Sequence, residues 1–271
     1  IDNPNRLANE VEDVHVILPG TFSPEIEGSD EKLSELCFEK AHEIYGDKLP
    51  EIVSTRLEKE LHSIISNGYS VLYMIAQKLV HQSNEDGYLV GSRGSVGSSF
   101  VATMAGITEV NPLPPHYICP NCKYSDFDTD ESVHAGPDLP DKTCPECGHD
   151  LEKAGYEIPF EVFLGFDGDK EPDIDLNFAG EYQTRAHKYT EDIFGKENVI
   201  RAGTIGTLSD KTAFGYIRNF CEKTQTELSR GEIERMQNMI VGVKRTTGQH
   251  PGGIMIFPKD HPIHHFTALQ Y

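Results

Sequence analysis

Two carboxylates one residue apart, Asp173 and Asp175, stand in the stretch Pro172-Asp173-Ile174-Asp175-Leu176-Asn177-Phe178. Successive side chains of an extended strand point to opposite faces, so Asp173, Asp175 and Asn177 would share one face and Ile174, Leu176 and Phe178 the other. Such an acidic front can hold hard divalent cations such as Mg²⁺, which bring a triphosphate and an attacking hydroxyl together. Pro172 suits a strand entrance, where a missing N–H is tolerated. Asp-x-Asp also arises by composition in a chain with 44 acidic residues, as Asp126/Asp128, Asp128/Asp130 and Asp167/Asp169 show. From this stretch alone, metal binding and chance stand side by side.

A second chemical element is Gly91-Ser92-Arg93-Gly94-Ser95-Val96-Gly97-Ser98-Ser99. Placed between a strand at Tyr88 to Val90 and a helix from Phe100 to Ala105, it reads as a phosphate cradle. Glycines let the backbone approach the anion, free N–H groups at the helix start point at it, and hydroxyls and Arg93 add donors. It matches neither a Walker A loop nor a dinucleotide fingerprint, and a merely flexible Gly/Ser loop is the competing reading. A third element is the pair Cys119-Pro120-Asn121-Cys122 and Cys144-Pro145-Glu146-Cys147, two knuckles whose thiolates can close a tetrahedral zinc site. Four thiolates leave no open position, so the zinc would be structural. Disulfides are the alternative, and His134 and His149 are alternative ligands. A basic, glycine-rich stretch from Lys244 and Arg245 through His250 to Gly253 reads as a loop able to bind phosphate, leading into a strand at Ile254 to Phe257. His261, His264 and His265 read as surface residues, and Cys37 and Cys221 as buried or free thiols.

The elements that must position these groups follow from apolar spacing. Residues 1–30, with Pro4, Pro19 and Pro24, read as a connecting segment with one strand at Val14 to Leu18. Apolar periodicity predicts helices over Asp30 to Tyr45, ended by Gly46, over Val53 to Ile65, ended by Asn67-Gly68, and over Val71 to about Val80. Past the acidic strand, a helix is expected from Glu181 to Phe194 and a strand from Val199 to about Thr204. A helix starting at Ser209 carries Ala213, Phe214, Ile217 and Phe220 on one stripe and Lys211 and Arg218 on another. A last helix runs from Ser229, with Glu232 at the capping-box position, to Ile240. From spacing alone this helix pair reads equally as a solvated bundle or as a nucleic-acid contact.

The length of 271 residues and 37% hydrophobic content allow one large domain or two smaller ones. No apolar run is long enough for a membrane span and no signal pattern opens the chain, so a cytoplasmic protein without membrane partners is expected. A net charge of −20 argues against a large nucleic-acid footprint spread over the whole chain. The stretch 183–250 is locally mixed in sign. The start at Ile1 rather than Met suggests a piece of something longer.

In their order along the chain, the Gly/Ser loop, the two knuckles, the acidic strand, Gly203-Thr204-Ile205-Gly206-Thr207 and Thr246-Thr247-Gly248-Gln249-His250-Pro251-Gly252-Gly253 resemble the PolC-type replicative DNA polymerase III of bacteria, a C-family polymerase. The resemblance runs from about residue 25 to the end. It implies an α+β fold with a polymerase β-like nucleotidyltransferase palm, flanking helices, an inserted four-cysteine zinc ribbon and a small helical thumb. The implied division is the end of a phosphoesterase-like domain at 1–30, palm at 31–115, zinc insertion at 116–152, palm with the acidic strand at 153–207, thumb at 208–242 and palm again at 243–271. Asp173 and Asp175 would be two of three aspartates holding two catalytic Mg²⁺ ions. Arg93, Gly94, Ser95, Gly97 and Ser98 would receive the incoming nucleotide's phosphates. Lys211, Arg218, Lys244, Arg245 and His250 would contact DNA, and Cys119, Cys122, Cys144 and Cys147 would hold structural Zn²⁺. The implied reaction is template-directed transfer of a nucleotidyl group from dNTP to a primer 3′-hydroxyl, with primer–template DNA as partner and a sliding clamp and replisome proteins engaged by regions outside this chain. The family's third aspartate belongs to a strand expected after Tyr271, and Asp260 does not match it. The chain is therefore expected to fold while lacking appreciable polymerase activity by itself. Two other classes compete: a metal-dependent glycosyltransferase using Asp-x-Asp, and a zinc-ribbon interaction module without catalysis.

Overall fold

The computed structural model describes residues 2–11, 22–130, 132–165 and 170–270. The strand expected at Val14 to Leu18 lies outside the described residues. The first element is a helix, α1 (Asp2–Asn9), where the sequence reads as a connector. Pro4 is compatible with it because a first helical turn has no partner for the missing N–H.

Leu33, Cys37, Ala41 and Tyr45 recur every four residues and are the buried stripe of α2 (Ser29–Tyr45), which ends where Gly46 takes a φ of 87°. The next helix, α3 (Glu51–Ser66), buries Val53, Leu57, Leu61 and Ile64, and α4 (Ser70–Glu85) buries Tyr73, Met74, Ala76 and Val80. The latter continues past the expected Val80 through residues 81–85, of which Ser83 is buried and donates its hydroxyl to the Tyr88 carbonyl at 2.8 Å. These helices pack around a short fifth one, α5 (Phe100–Met104), whose Phe100, Val101 and Ala102 are wholly buried.

The Tyr88 to Val90 segment is not a strand. The strand, β1, is Gly91–Arg93, and its partner is β5 (Asp175–Asn177) in an antiparallel two-stranded sheet. Between them in the chain lies a three-stranded ribbon of β2 (His116–Ile118), β3 (Ser125–Asp126) and β4 (Glu152–Ala154), ordered β3-β2-β4, followed by the short α6 (Glu161–Leu164). After β5 comes α7 (Gln183–Phe194).

The chain divides into two compact units, one of residues 1–193 with 258–271 and one of residues 194–257. The second contains β6 (Val199–Thr207), α8 (Asp210–Thr224), α9 (Arg230–Ile240) and β7 (Lys244–Ile256), with β6 and β7 paired antiparallel. Thus the stretch from Lys244 to Gly253 is strand, not loop. Glycine makes this possible: a Cβ on Gly206 would stand 2.6 Å from Thr246 Oγ1 across the ladder. Register shifts between Arg201 and Gly203 and between Gly206 and Thr207 absorb the irregularity. The described residues therefore form a mixed α and β structure, and no helix among them is long and apolar enough to cross a membrane.

Candidate active site and metal centre

The β1–β5 ladder sets Arg93 opposite Asp175, Ser92 opposite Leu176 and Gly91 opposite Asn177. The strand that opens the Gly/Ser loop and the strand that carries the acidic residues are thus immediate neighbours. The Arg93 Nη2 to Asp175 Oδ2 distance is 3.9 Å, with both side chains more than half exposed. The alternation expected from residue types is present: Asp173, Asp175 and Asn177 are exposed, while Ile174 and Leu176 pack against the helical core. Only Asp175–Asn177 is laddered, so Asp173 stands just before the strand rather than within it. Tyr182, buried, donates its hydroxyl to Asp86 at 2.7 Å and stacks near Tyr88 and Phe178, tying the turn after β5 to the end of α4.

Beyond Arg93 the loop closes as a 3₁₀ turn over Gly94–Ser98. Arg93 and Gly94 are exposed, Ser95 and Gly97 half-buried, and Ser98 buried with its hydroxyl donated to the Ser95 carbonyl at 2.7 Å. The start of α5 is not free to meet an anion. Glu60, wholly buried on α3, accepts the Val101 N–H at 3.0 Å, and the Ser99 hydroxyl accepts the Ala102 N–H at 3.2 Å. An internal carboxylate thus fills the place that the sequence reading gives to a phosphate, leaving the outer turn as the part of the loop that faces solvent. Burial pushes the Glu60 carboxyl pKa up, opposed by the Arg56 guanidinium and by backbone N–H groups of Val101 and Phe100. Glu60 escapes a reading of α3 as a packing helix, although a signal exists: it lies on the same stripe as Val53, Leu57, Leu61 and Ile64, where a charge is out of place.

The four knuckle cysteines bring their Sγ atoms within 4.8 Å of one another. Cys119 to Cys147 is 3.4 Å and Cys122 to Cys144 is 3.5 Å, too long for disulfides, and all four are free thiols. A tetrahedron with Zn–S bonds of about 2.3 Å needs sulfur separations of about 3.8 Å, which this group fits. The two knuckles repeat one another. The N–H of the first cysteine reaches the carbonyl five residues on, Tyr124 or His149, at 2.7 Å, and the residue four positions on turns back to the first cysteine's carbonyl in left-handed backbone: Lys123 at φ 64° and Gly148 at φ 76°. The four thiols hold their protons unevenly: the backbone N–H of His149 draws the Cys147 thiol to about 5, while Cys122 is pushed up to about 12. His134 and His149 are not in the group.

The pattern of the family described as "Bacterial DNA polymerase III alpha NTPase domain" matches residues 31–230. The chain belongs to that family. It is also 63% identical over 270 residues to a DNA polymerase III PolC-type of Caldanaerobacter subterraneus subsp. tengcongensis, 59% identical over 271 residues to one of Thermotoga petrophila, and 55% identical over 271 residues to one of Bacillus subtilis. Each alignment covers the whole of this chain but only 19 to 20% of the relative, so the chain spans about a fifth of their length. The family match agrees with the polymerase resemblance rather than with the glycosyltransferase or zinc-module alternatives.

All five residues that the resemblance assigns to DNA fall in the unit of residues 194–257. That unit holds nine Lys and Arg against six Asp and Glu, a net charge of +3 within a chain of −20. Lys211 and Arg218 lie seven residues apart on α8, hence on one side. Arg218 is 3.9 Å from Glu222, Arg245 lies over the Tyr216 ring at 5.7 Å, and His250 Nδ1 accepts the Gly252 N–H at 3.2 Å. The expected apolar stripe of α8 is only half realised. Ala213 and Ile217 are buried, whereas Phe214 and Phe220 are exposed.

Proposed function

We propose that this segment contributes the catalytic carboxylates and the nucleotide-phosphate loop of a DNA-directed DNA polymerase that extends a primer 3′-hydroxyl with dNTPs. The observation that carries the reading is the β1–β5 register, which sets Arg93 of the loop beside Asp175 of the acidic strand. Family membership supports the chemistry assigned to that pairing. Asp173 and Asp175 would hold Mg²⁺, since an ion of this kind is bound through one or two carboxylates and completes its coordination with water and substrate phosphates. When bound, two such ions lower the pKa of the attacking hydroxyl and neutralise charge on the leaving pyrophosphate. The chain's own groups then have two tasks. Exposed Arg93 and the turn at Gly94, Ser95 and Gly97 orient the triphosphate by charge and backbone N–H donors, while Ser98 holds that turn from inside. Asp173 and Asp175 supply fixed anionic oxygens at the reacting end. The family's third aspartate belongs to another part of the polymerase, so this segment is expected to need the rest of it for activity.

The ribbon reads as a structural four-cysteine zinc site, residues 208–242 as a thumb-like grip on primer–template, residues 31–115, 153–207 and 243–271 as palm, and residues 1–30 as the end of a preceding phosphoesterase-like domain. Clamp and replisome contacts are assigned to other parts of the polymerase. Replacing Asp173 or Asp175 by Asn in the full-length polymerase is expected to lower primer extension by several orders of magnitude, because positioning and charge are most of what this catalysis has. Near-normal extension by either variant would sink the assignment.

A further inference from the structure

Beneath the Gly/Ser loop lies a buried polar network that nothing in the reaction uses directly. Glu60 receives the Arg56 Nε–H on one oxygen and the Ser99 hydroxyl and the Val101 N–H, each at 3.0 Å, on the other. Ser99 in turn lies 3.0 Å from the Tyr73 hydroxyl and caps α5 through Ala102. Arg56 spends Nη2 on two backbone carbonyls at 2.9 Å, that of Ser98 at the end of the loop and that of Ile158 far along the chain. Glu60, Ser99 and Tyr73 are inaccessible to solvent, and Arg56 is largely covered.

A buried carboxylate is costly unless its oxygens are fully engaged, and here every partner named donates to it. Apolar residues of similar volume would fill the same space without that cost. What the charged pair adds is fixed direction. Glu60 anchors the first turn of α5, and Arg56, held by Glu60, clamps the carbonyl of Ser98. Ser98 then bonds back to the Ser95 carbonyl, so the chain of contacts runs from the α3 core to the turn that faces solvent beside Asp175. We propose that Glu60 and Arg56 are positioning residues for nucleotide binding: an internal ion pair that holds Gly94–Ser98 in the shape that receives the triphosphate. The inference rests on the polymerase reading above.

The test uses the full-length polymerase with Glu60→Gln, which keeps volume but sets an amide donor against the Arg56 donor, and with Arg56→Lys, which keeps charge but loses the fork that joins Glu60 to the two carbonyls. Steady-state primer extension is measured as a function of dNTP and, separately, of primer–template. The expected result is a rise of about tenfold or more in KM for dNTP, as displaced positioning groups produce, with the KM for primer–template within about twofold of wild type. A purely structural role would lower the active fraction, and so kcat, while leaving both KM values in place. A folded variant of either kind with unchanged dNTP KM overturns the proposal. If Glu60→Gln does not fold, Arg56→Lys, nearer the surface, gives the same readout. Asp175→Asn is assayed alongside: if it stays active, the polymerase reading has failed, whereas an inactive Asp175→Asn with an unchanged dNTP KM in the folded positioning variants rejects this inference alone.

Discussion

His116 opens the ribbon at its junction with the helical core, fully buried, 3.0 Å from the Tyr45 hydroxyl at Nε2 and 2.7 Å from the Pro114 carbonyl at Nδ1, and stacked on Phe127. The carbonyl requires a proton on Nδ1, so neutral imidazole can satisfy both partners by accepting from Tyr45 at Nε2. Burial draws its pKa from 6.5 to about 4. Because the folded value lies below the unfolded one, the unfolded chain takes up the proton first as pH falls. The contribution is therefore whole above about pH 6.5 and is lost between there and about 4, amounting to about 3 kcal/mol at most. Urea unfolding at several pH values should show that His116→Gln is less pH-dependent than wild type over this window; equal slopes would refute it. The two knuckle turns offer a paired test. A Cβ on Gly148 meets nothing within 4 Å, so Gly148→Ala should cost only the left-handed strain, about 1 kcal/mol. At the matching position Lys123→Gly should be nearly neutral in thermal unfolding, since relief of strain is offset by the added freedom of the unfolded chain.

At the scale of elements, what was legible followed from local pattern. The four-residue spacing of α2, the stripe of α3, the Ser209 cap of α8 and the Ser229–Glu232 capping box of α9 are all present as the residues imply. The strands were less legible because their partners are remote in sequence. Nothing in Lys244–Gly253 announces that β6 will pair with it, and glycines that suggest a loop are needed for close passage instead. The same limit applies to the site: the acidic and basic motifs could be found singly, but their adjacency, and the role of Glu60 behind them, depend on pairing between distant segments. Two element-level consequences are measurable. Since α9 buries no residue, its cap carries unusual weight, and Ser229→Ala should cost about 1 kcal/mol of local stability, seen as faster amide exchange confined to that helix. The ribbon core is Tyr117, Cys119, Leu139, Cys144 and Leu151, so two of five buried residues are sulfur donors. Chelation of metal should therefore release protection in β2–β4 while α2–α4 stay protected; unchanged exchange in the ribbon would count against a structural zinc.

At the scale of the molecule, the two units differ in how they can be stable. The larger has a continuous apolar core through α2–α6. The unit of residues 194–257 buries only Phe194, Val199, Ala213, Ile217 and Phe257, and leaves Ile205, Phe214, Tyr216, Phe220, Met239, Val243 and Met255 exposed. A two-stranded ribbon is marginal by itself, and residues Gly203–Thr207 and Lys244–Gly252, bar none, face solvent. The sign of charge also reverses between the units. A loosely stabilised positive unit with interleaved aromatic and basic side chains suits a polyanion that would supply the missing contacts. Amide exchange of the intact chain should accordingly be faster through β6, α8, α9 and β7 than through α2–α4. Added primer–template duplex at low salt should slow exchange in the first set and leave the second unchanged, and the effect should fade as salt rises. Uniform protection before DNA is added, or DNA-dependent protection confined to the larger unit, would show that the grip on nucleic acid lies elsewhere.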